Sequence, residues 1–366
     1  MKRILFLITS ILLSSVPTLA QERVIDATDS IPVSAASVFD FDGNVVGYTL
    51  TDGTFSGIPE TAYPVTIRCL GYEPLVINQP KNAVWLMKQS FYDMPELVVV
   101  PVERNVMKQI FYIRKYLSLC STADTITFFV EQMAYRFIPA AKDTKTGVSK
   151  SMHVSNHRCY SLYNIDDVDS VEYDEDSNSI FAVSIFDLDD EEIQAPKSFH
   201  TEPSGYYEKK GKSGASIIQK QSSGVFTSTE DVLARKKSHS ISPWPLKLLG
   251  LTMKVNQLYI SQAFPANEAG TYSAKDLMEA TFVMEAEGRG KLIRKAMNSD
   301  TPVTIRAMTE FYVVDHEFLS QEEAKEESNK KDTKLEFAIP SSVPPLSKAT
   351  LRIVEQVKNG ENLIRK

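Results

Sequence analysis

Two hydrophobic patterns divide the chain. From residue 21 to about 102, apolar residues come in short alternating runs cut by turn residues. Residues 34–40 build toward Val38-Phe39, Asp42-Gly43-Asn44 reads as a hairpin turn, and residues 45–50 form the return strand. Glycine in such a turn supplies the positive φ that other residues resist. Asp52-Gly53 marks a second turn before Thr54-Phe55, and residues 62–70 form a further strand closed by Gly71. Residues 75–77, 83–87 and 97–102 complete the set. Short strands at this spacing, with no helical stretch among them, predict a β-sandwich over 21–102.

The period then changes. Val106, Ile110, Ile113 and Leu117 fall at i, i+4, i+7 and i+11, with Met107 and Phe111 beside them. That spacing predicts a helix. Ser121-Thr122-Ala123-Asp124 resembles a capping box opening a second helix, with apolar positions Ile126, Phe129, Val130, Met133 and Phe137 and a stop at Pro139. An αα-hairpin is therefore expected over 103–140. Strand patterns return at 153–155, 160–163, 168–173, 180–186, 258–263, 281–287, 303–308, 310–314 and 334–338. Residues 246–251 and 275–278 fit helix or strand, and 321–334 is a charged loop or helical extension. The expected fold is mainly β with some α: sandwich, helical hairpin, then a β-rich α+β domain over 141–366 with a charged loop at 320–334.

The N-terminus changes where this fold is expected to work. Lys2 and Arg3 precede an apolar run from Ile4 to Val16, and Thr18-Leu19-Ala20 offers a small-x-small site before Gln21. Residues 1–20 thus read as a secretory signal peptide, too short for a membrane anchor. No Cys follows the run, which excludes lipid anchoring at that site. No later segment is long and apolar enough to span a membrane as a helix, so the mature chain is expected to have no transmembrane segment. The 366 residues are 43% hydrophobic and 24% charged, ordinary for a globular protein. A net charge of −7 argues against nucleic acid as a partner. An exported protein meets oxidising conditions, and Cys120 and Cys159 are a candidate pair. The alternative is three small buried hydrophobes, with Cys69 inside a strand-like run.

Several of the N-terminal motifs also carry a resemblance. Residues 31–38, IPVSAASV, look like the PLPGASV strand of the carboxypeptidase regulatory-like domain, and residues 51–55, TDGTF, resemble a shortened form of its TDENGNF turn. Residues 63–74, YPVTIRCLGYEP, are similar to its LTISFIGYEP signature, and Leu97-Val98-Val99-Val100 to the LDEVVV strand that often follows in Bacteroidetes envelope proteins. The opening strand is reduced to Arg23-Val24-Ile25-Asp26 and the second turn has lost residues, which leaves the edge strands open. The resemblance covers about a quarter of the chain. It implies a transthyretin-like sandwich serving as a non-catalytic accessory module. In relatives such a module accompanies a zinc peptidase or a transport barrel. The remaining chain is too short for a plug and a 22-stranded barrel, and five histidines offer no peptidase ligand set.

Other motifs fail on spacing. His153 and His157 stand at i, i+4, a metal-binding spacing on a helix, but the local pattern reads as strand or loop and no Glu follows the first His. Residues 205–213, GYYEKKGKS, which include Lys212, have five residues between glycines where a phosphate loop needs four, and read as a basic loop. Asp174-Glu175-Asp176-Ser177-Asn178 starts like a calcium loop but continues with Ser179 and Ile185 where Gly and Glu are required. Asp166, Asp167, Asp169, Asp174 and Asp176 then read as a solvated acidic hairpin. Gly53-Thr54-Phe55-Ser56-Gly57 has the wrong spacing for a nucleophile elbow. Cys159 with His157 or His153 is a thiol pair by proximity alone. No catalytic, cofactor or metal residue is expected. The function expected is that of a non-catalytic exported protein, periplasmic or outer-membrane associated, binding an envelope protein or glycan. The alternative is an accessory component of a peptidase, another hydrolase, or an outer-membrane transport system.

Overall fold

Between residues 22 and 90 the chain builds two small sheets around one apolar core. The computed structural model describes residues 22–55, 57–80, 83–90, 104–140, 146–165, 168–174, 188, 192–200, 204–210, 215–234, 239–241, 251–297, 301–330, 335–339, 341 and 343–359. In this small unit β1 (Arg23–Asp26) runs parallel to β6 (Val84–Met87). A four-stranded antiparallel sheet is ordered β3 (Val45–Tyr48), β2 (Ser37–Phe39), β4 (Val65–Arg68), β5 (Leu75–Ile77). Alternation puts Val24, Val38, Val65, Ile67, Ile77 and Met87 into a shared core. The turn read from Asp42-Gly43-Asn44 is present: Asp40 N–H donates to the Asn44 carbonyl and Gly43 has φ +86°. Gly53 is required where it stands, at φ +77° with the position of a Cβ only 2.3 Å from the Val24 carbonyl oxygen.

The rest of the described chain centres on one antiparallel sheet. Its strands are β7 (Val106–Cys120), β8 (Thr125–Pro139), β9 (His153–Ile165), β10 (Val168–Asp174), β12 (Gly205–Lys210), β13 (Ala215–Lys220), β14 (Val225–Asp231), β15 (His239–Ile241), β16 (Leu251–Pro265), β18 (Glu279–Gly290) and β19 (Val303–Leu319). Two dipeptide strands, β11 (Ile193–Gln194) and β17 (Thr271–Tyr272), pair beside it. The sheet order is β10-β9-β8-β7-β19-β18-β16-β14-β13-β12, with β15 on β16. One meander leaves β7 toward one edge, another comes in from the other edge, and they meet where β19 pairs with β7. Among the described residues, α1 (Lys291–Met297) follows β18, α2 (Gln321–Asn329) follows β19, and α3 (Lys348–Lys358) comes after an irregular stretch. Ser320 and Glu323 cap the start of α2 reciprocally.

Both faces of this sheet are covered. On one face, Tyr116, Phe129, Tyr160, Val283 and Met308 pack against Phe39, Val45 and Tyr48 of the small unit and Ile353, Val354 and Val357 of α3. On the other, Phe128, Val255, Met284 and Ile305 pack with Ile293 and Met297 of α1, and Phe111, Phe264, Phe282 and Phe311 pack with Leu188, Phe199 and Leu277.

Double coverage explains the main correction to the sequence reading. The αα-hairpin expected over 103–140 is not formed; residues 104–140 hold β7 and β8, paired from Val106↔Pro139 to Cys120↔Thr125. A strand buried on both sides has apolar residues at every spacing, so helical positions can be selected from it at will. Enrichment in Ile, Phe, Tyr, Val and Thr is the signal that separates the two. The apparent capping box is the hairpin turn: Ser121 N–H donates to the Asp124 carbonyl, and Asp124 N–H donates to Ser121 Oγ at 2.8 Å. Serine makes the same local bonds in either setting.

Smaller differences follow the same logic. Residues 303–308 and 310–314 belong to one strand, β19. The segment read as a loop at 205–213 begins with β12, whose mixed polar residues lie at the sheet edge. Residues 335–338 are irregular, and 321–329 are helical. The strands expected at 97–102 and 180–186, and residues 246–250, lie outside the described residues. No helix of the described residues is long and apolar enough to cross a membrane, which says nothing of strands.

Candidate functional site

The face of the large sheet under the small unit carries a row of charges. Cross-strand register sets Arg158 on β9 opposite Glu131 on β8, Glu131 opposite Arg114 on β7, and Arg114 opposite Glu310 on β19. Thr281 continues the row on β18. Opposite charges directly across a ladder attract, and the alternation places Arg114 between Glu131 and Glu310, with Arg158 at the end of the row beside Glu131. Arg68, at the end of β4 in the small unit, completes the arrangement from above. Its guanidinium lies 2.8 Å from Glu310 and donates to the Tyr116 hydroxyl at 2.7 Å. The Arg68 and Glu310 side chains are 4% and 8% exposed.

Charges this buried need partners, since a lone ion in a dry interior is costly. Burial works against the Arg68 charge, but Glu310 outweighs it and holds the guanidinium protonated. Burial also pushes the Tyr116 and Tyr312 phenols up, so both stay protonated at neutral pH. Alongside, Arg114 donates to the Tyr112 hydroxyl at 3.1 Å and to the Pro344 carbonyl at 2.5 Å, and Tyr112 donates to Glu131. A cavity of about 20 Å³ lies beside Arg68, lined also by Tyr72, Glu279, Thr281, Glu310 and Tyr312. That is the room of about one water molecule.

A second polar path fastens the small unit to the β13–β14 turn. Asp26 accepts from the Tyr72 hydroxyl at 2.9 Å and from Gln89 Nε2 at 2.7 Å. Gln219 Nε2 donates to the Tyr72 hydroxyl, and the Ser222 hydroxyl donates to Gln89 Oε1. Farther along, the Tyr48 hydroxyl donates to the Met284 carbonyl at 2.8 Å. Together these bonds form a clasp between two units, built from groups that satisfy one another.

The residues weighed from sequence are dispersed. His153 lies opposite Tyr135 and His157 opposite Gln132, with a β-bulge between. Tyr135 and Gln132 point to opposite faces of β8, so the bulge sends the two histidines to opposite faces. His153 instead stacks on Tyr135, with centroids 5.2 Å apart. Cys159 shares a face with His157, but burial pushes its thiol up to about 11, which keeps it from being a thiolate at neutral pH. Cys120 and Cys159 are both free thiols; Cys120 lies opposite Thr125 and Cys159 opposite Val130, so the candidate pair does not form. Cys69 is half-buried, its thiol 3.6 Å from the Ser34 carbonyl. Asp169 and Asp174 lie on β10, while Asp166, Asp167, Asp176, Ser56 and Lys212 lie outside the described residues. Among the described residues no three His, Cys, Asp or Glu side chains gather as a metal site.

Sequence reasoning passed over Arg68, Arg114, Glu131 and Glu310. The available signal was a charge inside an otherwise apolar strand run, as in Val65-Thr66-Ile67-Arg68, which requires a buried partner. Comparison of the chain with protein-family models gives no match, and comparison with curated proteins gives none.

Proposed function

We propose that this protein is an exported, non-catalytic envelope protein that binds another envelope protein, with residues 22–90 acting as a carboxypeptidase regulatory-like module. The observation that carries the reading is the clasp. Two charged groups beside the cavity, Arg68 and Glu310, neutralise each other across the two units. The tyrosines around them join the same network, Tyr116 accepting from Arg68 and Tyr112 donating to Glu131. A site arranged this way holds two units in one orientation and presents their combined surface. The leader-like residues 1–20 and the motifs at 31–38, 51–55 and 63–74 support export and the module assignment.

The test is affinity capture from detergent-solubilised envelope by the tagged mature chain, together with intact-mass measurement of exported material. The reading expects a mass beginning at Gln21 and a discrete partner protein retained by wild type. Export without cleavage, or hydrolase activity abolished by Glu310→Gln with the fold intact, would overturn it.

A further inference from the structure

Four polar side chains form a square on the face of the sheet that the small unit covers. In β18 and β19, Ala280 and Phe311 enter the core of the opposite face. Alternation therefore turns Glu279, Thr281, Glu310 and Tyr312 toward the small unit. The register sets Glu279 opposite Tyr312 and Thr281 opposite Glu310. All four are buried. Arg68, Leu70, Tyr72 and Pro74 of the small unit roof the square, and the cavity of about 20 Å³ lies between.

Most polar atoms here are already engaged. Arg68 Nη2 lies 2.8 Å from Glu310 Oε1 and donates to Oε2 at 3.0 Å. The Tyr72 hydroxyl donates to Asp26 and accepts from Gln219, and Glu279 has partners of its own. The hydroxyls of Thr281 and Tyr312 differ. These residues are 5% and 4% exposed, both line the cavity, and among the described residues no hydrogen bond reaches either hydroxyl. The Tyr312 phenol feels Glu310, Arg68 and Glu279 together, which puts its oxygen among the groups that line the cavity. Burial, reinforced by Glu310, keeps that phenol protonated, so its hydrogen requires an acceptor. Leaving such a group unbonded in an interior is costly, and interiors commonly meet the need with an ordered water that makes about three hydrogen bonds.

The surrounding charges select the occupant. A cation in the cavity would face the Arg68 guanidinium, and an anion would face Glu279 and Glu310. A neutral molecule that both donates and accepts satisfies all of them, and the volume admits one of the size of water. We propose that this cavity is a binding site for a single ordered water, which accepts from the Tyr312 hydroxyl, bonds the Thr281 hydroxyl and donates to a carboxylate of the same square. The clasp between the small unit and the sheet is then closed partly through water. The inference does not rest on the envelope reading and holds wherever the protein works.

The experiment uses the full mature chain. A high-resolution crystal structure should show one water about 2.8 Å from Tyr312 Oη and Thr281 Oγ1. In solution, oxygen-17 relaxation dispersion counts long-lived waters, and the double variant Tyr312→Phe with Thr281→Val should hold one fewer than wild type. Thr281→Ser keeps the hydroxyl and should keep the count. Where the double variant does not fold, Thr281→Val against Thr281→Ser makes the same comparison. Exchanging sodium for potassium or ammonium should leave the melting temperature of wild type unchanged. Equal counts in folded wild type and double variant would overturn the proposal, as would a crystal with no density between the two hydroxyls. A melting shift specific to one cation, lost in the double variant, would make the occupant an ion and overturn it too.

Discussion

The small unit and the large sheet are both antiparallel β structure for the most part, yet their sequences announce it differently. In the small unit the strands are three or four residues long, and turns at Gly43, Gly53 and Gly71 separate them. One side of each strand enters the core of Val24, Val38 and Ile67, so alternation is visible. In the large sheet, β7, β8 and β16 each run fifteen residues and are covered on both faces. Alternation disappears there, and charged residues such as Arg114 and Glu131 sit within buried strands. The small unit is stabilised by local turns and one apolar core. The sheet depends on partners distant in sequence, as in the pairing of Arg114 with Glu310.

This contrast can be broken at its strongest point on each side. Ile67→Asp places an unpaired carboxylate in a fully buried position of the small unit. It should cost several kcal/mol, on the order of a domain's whole stability; circular dichroism of the variant should show the small unit's strand signal lost. Native-like melting would remove Ile67 from the core. Glu310→Ala leaves Arg68 buried without its anion and should destabilise the chain by about 3–5 kcal/mol in urea unfolding. The double variant Arg68→Met with Glu310→Leu should recover most of that loss, and failure to recover would mean the clasp is more than an ion pair.

Weaker perturbations sharpen the comparison. Tyr48→Phe removes a hydroxyl that joins the two units through the Met284 carbonyl and should cost about 1 kcal/mol. The same change in an isolated 22–90 fragment should be neutral, and an equal cost there would place the bond's effect inside the small unit. The smallest effect concerns Asp29. Burial, followed by the neighbouring Asp26 carboxylate, pushes its carboxyl up to about 6 from an ordinary 3.8. The folded chain then holds a proton that the unfolded chain releases, so this contribution is full below about 3.8 and is lost as pH rises to about 6. Because Asp29 as a residue is only half-buried, the loss should stay below about 1 kcal/mol. Asp29→Asn should flatten that part of the stability profile between pH 4 and 7; an unchanged slope would assign it to another carboxyl.

How far the site was legible follows from the same difference. Arg68 stands three residues after Val65 in a run whose apolar members face the small unit's own core, and nothing nearby in sequence supplies its anion. Glu310 is brought to it only because β19 pairs with β7 and the small unit docks on that seam. The strand or loop character around His153 and His157 was legible, but the bulge that parts them is a property of pairing with β8.

What the amino-acid sequence determined by itself was local: the β character of residues 22–90, the turn at Asp42-Gly43-Asn44, and the strands at β9, β10, β16 and β18. These follow from torsional preference and side-chain alternation over a few residues. Only the tertiary structure decided that residues 106–139 are strands, that Ser121–Asp124 is a turn, and that scattered charges form one row beneath Arg68. The physical reason is burial. A segment covered on both sides carries no periodic mark of its conformation, and a buried charge states its need for a partner without saying where along the chain that partner lies.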